Sequence, residues 1–219
     1  MHDALVWLLD TIMKISWGEI IRTIAPVVTA FIAYRALKNW QRQDKAKREA
    51  EFLDALVDAT HAYIAEMPKP ITLLDIAKVG MDSHAFTQSG SETDKAVKGA
   101  ISYIRKDGER EAKRLLEVLE AIKPLTIKLR SLAAKGQVFK FKDYRKCQET
   151  IAMLVWQLDR MEGFALIIGS TTWNWENSKV LERVNDAIEI SGDDIRKGLH
   201  NDNVALIEFA SETYKRIYG

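Results

Sequence analysis

The hydrophobic positions of this chain recur with the period of an α-helix along most of its length. Apolar residues follow one another three or four positions apart between residues 52 and 67. Comparable stripes predict helices at residues 71–80, 92–123, 143–169, 180–188 and from about 202 to the end. Four prolines and eleven glycines are few for 219 residues. The pattern therefore predicts an all-α protein.

Prolines, glycines and polar runs mark the expected helix ends. Pro68 and Pro70 should end the first long helix, and Gly80 should close the short helix that follows. Pro124 should interrupt the next long helix, in which Gly108 marks a bend or a break. Asp143 is an N-cap residue type. Loops or linkers are predicted at residues 81–92, 137–144, 170–179 and 190–203, with the phenylalanines of 137–144 packed inward.

An uncharged segment near the start raises the question of a membrane. Twelve uncharged residues separate Arg22 from Arg35. Counting from Ile20 to Leu37, with both arginines reaching toward headgroups, gives roughly 27 Å of helix against a hydrocarbon core of about 30 Å. Pro26 lies near the outer end, where a kink is tolerated. The segment predicts a transmembrane helix over residues 18–38.

The flanks of this segment support that interpretation and give it an orientation. Trp17, Tyr34 and Trp40 lie near its edges, as aromatic residues do at membrane interfaces. A basic collar for lipid headgroups follows it, made up of Arg35, Lys38, Arg42, Lys45, Lys47 and Arg48. The positive-inside rule then places the amino terminus outside a bacterial inner membrane and the rest of the chain in the cytoplasm.

The three predicted regions follow from these boundaries. Residues 1–17 form an amphipathic helix lying in the membrane interface, residues 18–38 the anchor, and residues 39–219 a cytoplasmic helical bundle. The alternative is a soluble bundle in which residues 4–37 form two core helices. Arg22, inside the proposed span, favours that alternative.

Composition excludes some classes of function. The net charge of +1 does not suggest a polyanionic partner, and the membrane explains the basic run more simply than nucleic acid does. One cysteine, Cys147, cannot form an internal disulfide and is expected in the core. The four histidines stand at no metal-ligand spacing to one another or to that cysteine, so neither metal nor cofactor is expected. We found no motif that names a reaction.

Two stretches are candidates for contact with a partner. Trp173 and Trp175 stand two positions apart and cannot both point to one helical face, so an exposed one is a candidate for a partner contact. The alternative, which we favour, is that both pack over the ends of the bundle. His84, in the predicted loop 81–92, is a further candidate, with no specific chemistry behind it.

One hexapeptide suggests a catalytic alternative. "IRKGLH" places Arg196 and His200 one helical turn apart, with Gly198 between them. It resembles the arginine–histidine pair of HEPN-type RNases, in which the usual gap is four to six residues rather than three. The resemblance implies a membrane-tethered helical nuclease or hydrolase.

The order of "TAFIAY", "NWQRQ", a Lys/Arg/Glu-rich stretch and then an apolar helix resembles another group. These are uncharacterised bacterial and phage-borne proteins with one membrane helix and a cytoplasmic helical domain, some of them membrane effectors in anti-phage defence operons. The resemblance implies a non-enzymatic effector or sensor that acts at membrane lipids. It implies binding of a protein partner or self-association as a homo-oligomer. A wholly soluble helical scaffold is a further alternative.

Overall fold

The computed structural model describes residues 17–219 as an all-helical protein, with no strand in that range. Seven α-helices follow one another along the described chain: α1 (Trp17–Glu66), α2 (Pro68–Phe86), α3 (Glu92–Tyr103), α4 (Glu109–Lys135), α5 (Tyr144–Ile168), α6 (Ser178–Glu189) and α7 (Gly192–Tyr218). A π-helical turn (Ile104–Gly108) joins α3 to α4, and a 3₁₀ turn (Gly136–Phe139) follows α4. The predicted fold class is confirmed at the level of an all-α protein. The predicted interfacial helix falls on residues 1–17, of which 1–16 lie outside the described residues.

Two compact units divide the chain, Met1–Arg48 and Glu49–Gly219. The helical bundle is the second unit, and its core begins in α1 at Ala50 and Phe52. Leu53, Leu56 and Tyr63 continue the buried stripe of that helix. Each later helix adds apolar residues to one continuous core. The stripes that predicted the helices are therefore the faces that the bundle buries.

Several predicted breaks do not occur, because tertiary packing outweighs local preference. Gly80 lies inside α2, where a Cβ would overlap the ring of Tyr103 on α3, so this glycine allows a close helix approach instead of ending a helix. Pro124 lies inside α4. Proline costs a helix about 3 kcal/mol, but the fully buried Ile122 and Leu129 on either side of it contribute about 1.5–3 kcal/mol each.

Two further boundaries differ from the prediction. The loop after α2 covers only residues 87–91. The predicted break at 190–203 is mostly the first half of α7, which Ser191 caps by accepting a hydrogen bond from the backbone N–H of Asp194. Asp143 occupies the N-cap position of α5, as predicted, but it adopts a left-handed conformation (φ 59°) and its side chain makes no cap hydrogen bond.

The linker between α4 and α5 does pack inward, as predicted. Phe139 and Phe141 stack with their ring centroids 5.3 Å apart, and both rings lie against Phe52 of α1. The hydroxyl of Tyr144 donates to the backbone carbonyls of Leu132 and Ala133 and so satisfies the end of α4. Aromatic packing and capping together hold this turn on the bundle.

Candidate functional site

The side chains of α1 between residues 24 and 43 are all exposed. Eight of them are large and hydrophobic: Ile24, Val27, Val28, Phe31, Ile32, Tyr34, Leu37 and Trp40. Val27 is 67% exposed and Trp40 62% exposed. We call residues 24–40 the apolar segment. Exposed hydrophobic surfaces of this kind are common where proteins contact partners, ligands or membranes.

The apolar segment has no polar face along its first three turns. Successive residues are about 100° apart around a helix, so Ile24, Val28 and Phe31 share one side. Ala25, Pro26, Ala30 and Ala33 cover the others. Thr29 is the one polar residue between positions 24 and 34, and its hydroxyl donates to the carbonyl of Ala25 at 2.8 Å. A helix that is apolar on every side is typical of a fully enclosed environment.

Charged side chains begin where this apolar surface ends. The guanidinium of Arg35 lies over the ring of Phe31, 5.2 Å from its centroid. Lys38 and Arg42 follow on exposed positions, and Arg48 pairs with Asp44 within the same helix. Exposed aromatic side chains stand at Tyr34 and Trp40. The predicted basic collar is therefore exposed along α1 as far as Arg42. The side chain of Trp17, another predicted anchor residue, lies outside the described residues.

None of the helices within residues 17–219 combines the length and the apolar character needed to cross a bilayer.

His84 was predicted to lie in a loop, but it lies in the last turn of α2. Its Nδ1 atom is 2.9 Å from the hydroxyl oxygen of Ser102 on α3, and its ring packs edge-on against Tyr103. A histidine beside a serine hydroxyl is a base–nucleophile geometry when a third group orients the base. The contacts of His84 with Ser102 and Tyr103 join α2 to α3.

The two predicted tryptophans come together, and neither is fully exposed. Trp173 and Trp175 are both half-buried in the loop between α5 and α6, with ring centroids 6.4 Å apart. Trp175 packs against the core. Neither ring is an exposed aromatic surface, and a partner contact at these residues stays a prediction. An exposed tryptophan occurs instead at Trp156 of α5, which is 47% exposed and carries the guanidinium of Arg160 over its ring at 4.7 Å.

The arginine of the HEPN-like pair has a structural role. Arg196 of α7 binds Asp193 at 2.7 Å and also pairs with Asp75 of α2. Two carboxylates therefore already bind the guanidinium group, which would have to be available to bind the phosphate of an RNA substrate. Gly198 between the pair lies where a Cβ would contact the buried side chain of Gln157. These contacts hold α7 against α2 and α5.

Cys147 is buried, and burial raises the pKa of its thiol to about 12, which keeps the thiol protonated at neutral pH. No group of three or more histidine, cysteine or acidic side chains in the described chain could hold a metal ion.

A groove between α4 and α5 was not anticipated from the sequence. It has a volume of about 480 Å³, with a floor that includes Ala112, Leu116 and Ala165. It shares Leu116 with a second recess of about 250 Å³ that extends toward Lys123 and Glu162. Leu166 on its wall is 57% exposed. The helical period alone could not reveal this groove, because the floor consists of small residues that resemble ordinary core.

Comparison with known protein families, with curated proteins and with solved structures found no match for this chain.

Proposed function

We propose that this protein is a membrane-anchored helical effector or sensor. In this proposal residues 20–37 enter the membrane, and the bundle of residues 49–219 binds a partner in the cytoplasm. The observation that carries the proposal is the apolar segment, whose eight large hydrophobic side chains are exposed all around one helix.

Lipid is the environment that fits this surface best. A single protein partner covers one face of a helix, whereas acyl chains surround it. Burying eight partly exposed large side chains is worth on the order of 10 kcal/mol. Arg22 and Arg35 oppose insertion, but each stands near an end, where the cost falls below the roughly 3 kcal/mol of a charge at the bilayer centre. The balance favours insertion.

The charge pattern gives the proposal its orientation. Basic side chains begin within the last turns of the apolar segment at Arg35 and continue along α1 to Arg48, with Asp44 the one acidic residue among them. Each basic residue near an anionic surface contributes about 1 kcal/mol of attraction. The positive-inside rule therefore places residues 39–219 in the cytoplasm of a bacterial cell, with the amino terminus outside.

Self-association is the proposed mode of action. A charged side chain such as Arg22 is accommodated more easily among several helices than alone in lipid. Assembly of anchors would then disturb the bilayer, as in the membrane effectors of anti-phage defence that the sequence resembles. The bundle would sense the trigger by binding a protein partner.

One substitution tests the anchor. Val28→Arg places a charge in the middle of residues 20–37 and should move the full chain from the carbonate-washed membrane pellet to the soluble fraction. Ile127→Arg is the matched control, because Ile127 is 67% exposed on α4, outside the apolar segment. The control should stay in the pellet. If the parent chain and the Val28 variant both stay in the soluble fraction, the proposal fails.

A further inference from the structure

The groove between α4 and α5 owes its shape to two glycines. A Cβ at Gly169 would come within 3.0 Å of the Cβ of Ala112, and a Cβ at Gly108 would overlap the carbonyl oxygen of Ile168. The helices therefore approach so closely here that only small residues fit between them. Because small residues line this crossing, the surface above them is recessed.

A π-helical turn lies at the same crossing. Residues Ile104–Gly108 make this turn, and Gly108 is its last residue. Turns of this kind are rare and occur often at functional sites. The groove begins directly after it, at Glu109 and Ala112. The irregular turn and the recessed floor thus occupy one place in the fold.

The rim of the groove is acidic. Four glutamates and two lysines line the groove and its extension, which gives the rim a formal charge of −2: Glu109, Glu117, Glu120, Glu162, Lys113 and Lys123. Lys123 binds Glu120 at 2.6 Å and Glu162 at 3.2 Å, so its charge is already shared by two carboxylates. The carboxyl end of α5 lies at Gly169 and adds the partial negative charge of a helix C-terminus.

The neighbouring groove does not have this character. It lies between α2 and α4, with Lys69, Arg114 and Glu117 among its lining residues. Lys69 pairs with Glu66 and Arg114 with Glu111, so its cations are matched by carboxylates at close range. The three charged residues of its lining carry a formal charge of +1, against −2 in the α4–α5 groove and its extension, so this groove does not select a cationic segment.

We infer that the α4–α5 groove binds an amphipathic basic segment of a partner protein, with its apolar side chains over Ala112, Leu116 and Leu166 and its cations at the glutamate rim. A recessed apolar floor with an acidic border is complementary to a helix that has leucine-type residues on one face and lysines or arginines beside them. This inference rests on the proposed function, since it places the partner-binding half of that function on one surface.

The test uses the full chain, in nanodiscs of zwitterionic lipid if it inserts into membranes and in buffer if it does not, and peptide binding to empty nanodiscs is subtracted. The probe is a synthetic amphipathic peptide with leucine on one face and lysine on the other, and a leucine–glutamate peptide of the same pattern is its control. The lysine peptide should bind and should slow hydrogen exchange in α4 and α5 around the groove. Equal binding of the two peptides would overturn the inference.

Two variants locate the binding. Reversing the rim with Glu109→Lys and Glu117→Lys should weaken lysine-peptide binding by at least about tenfold. The matched control, Glu182→Lys with Glu189→Lys, changes net charge equally on exposed positions of α6 and should leave binding unchanged. Leu166→Gln should also weaken binding, whereas Val79→Gln, at a 68% exposed position of α2 outside the groove, should not. If the rim and control variants bind alike, the groove is not the site.

The membrane and groove proposals fail separately. A chain that is pelleted with membranes but binds the peptide equally after rim reversal contradicts only the groove. A chain that binds the peptide at the groove but never pellets with membranes contradicts only the anchor.

Discussion

At the scale of single residues, glycines in this protein serve helix packing. Gly99 of α3 lies against α2, where a Cβ would stand 2.5 Å from both the backbone N and the Cα of Ala85. Backbone atoms of a packed helix cannot move aside as a side chain can. Gly163 of α5 is the opposite case, since a Cβ there would meet nothing within 4 Å.

These two glycines predict opposite effects of the same substitution. Gly99→Ala should lower the free energy of unfolding by about 1–3 kcal/mol through overpacking. Gly163→Ala should raise it by about 0.5–1 kcal/mol, because alanine is the better helix former and no clash opposes it. Urea denaturation of both variants measures the difference. Equal effects of the two substitutions would contradict the close approach of α2 and α3.

A second residue-scale prediction concerns the response to alkali. Tyr63 is fully buried, and its hydroxyl donates to the carbonyl of Leu154 at 2.7 Å. Burial and the carboxylates of Asp159 and Asp202 raise the pKa of Tyr63 well above 10. Because the folded protein holds this proton more tightly than the unfolded chain does, the stabilisation is complete below pH 10 and falls as the pH rises above it.

Tyr63→Phe isolates this contribution. At neutral pH the variant should lose about 1–2 kcal/mol, because the carbonyl of Leu154 loses its side-chain donor. Above pH 10 its free energy of unfolding should fall less steeply than that of the parent chain. Denaturation curves over a series of alkaline pH values measure both slopes. Parallel slopes would show that Tyr63 does not titrate differently in the folded state.

At the scale of helices, α2 holds the corner between α6 and α7 with two opposite charges. The ammonium group of Lys78 donates to the carbonyl of Ile188 at the end of α6. Asp75, one turn earlier, lies beside Gly192 at the start of α7 and pairs with Arg196. A cation thus meets a helix C-terminus and an anion meets a helix N-terminus, which is the favourable arrangement at both.

Removing the cation should loosen α6 selectively. Burial lowers the pKa of Lys78, and the nearby carboxylate of Asp82 partly offsets this by raising it. The side chain nevertheless donates to a carbonyl that has no partner within α6. Lys78→Met should speed hydrogen exchange across residues 178–190 and lower stability by about 1–2 kcal/mol. Lys128→Met, on an exposed position of α4, is the control. Unchanged exchange in α6 would contradict the proposed cap.

The helices were predictable and many of their boundaries were not. Buried stripes such as Leu53, Leu56 and Tyr63 predict a helix because the core needs them on one face. Gly80 and Pro124 suggest breaks when only local preference is considered, since the neighbours that decide the outcome are distant in sequence. The start of α7 was detectable, because Ser191 with Asp194 three residues later resembles a helix-capping pair.

The two candidate surfaces also differ in whether the sequence predicts them. Residues 23–34 are uncharged in the sequence, and the apolar segment was therefore found there directly. The α4–α5 groove depends on which small residues of two helices meet. Ala112 and Ala165 lie 53 positions apart, and no local pattern connects them. A surface built by helix crossing becomes visible only when the crossing is known.

At the scale of the whole molecule, the boundary at Arg48 and Glu49 separates two kinds of surface. Before it, every side chain described between residues 24 and 43 is exposed; after it, buried positions begin at Ala50. The core of residues 49–219 includes Leu53, Leu119 and Phe164. Hydrophobic burial within this unit should therefore suffice for folding without residues 1–48.

A fragment of residues 49–219 should separate folding from membrane binding. It should keep its helical circular dichroism and unfold cooperatively, because its core residues all lie within it. It should also fail to float with vesicles containing phosphatidylglycerol, which the full chain should bind through the apolar segment and the basic residues that follow it. Val28→Arg in the full chain should reproduce the loss of flotation without changing the unfolding transition. If the fragment floats as well as the full chain, the membrane contact lies in the bundle and not in the apolar segment.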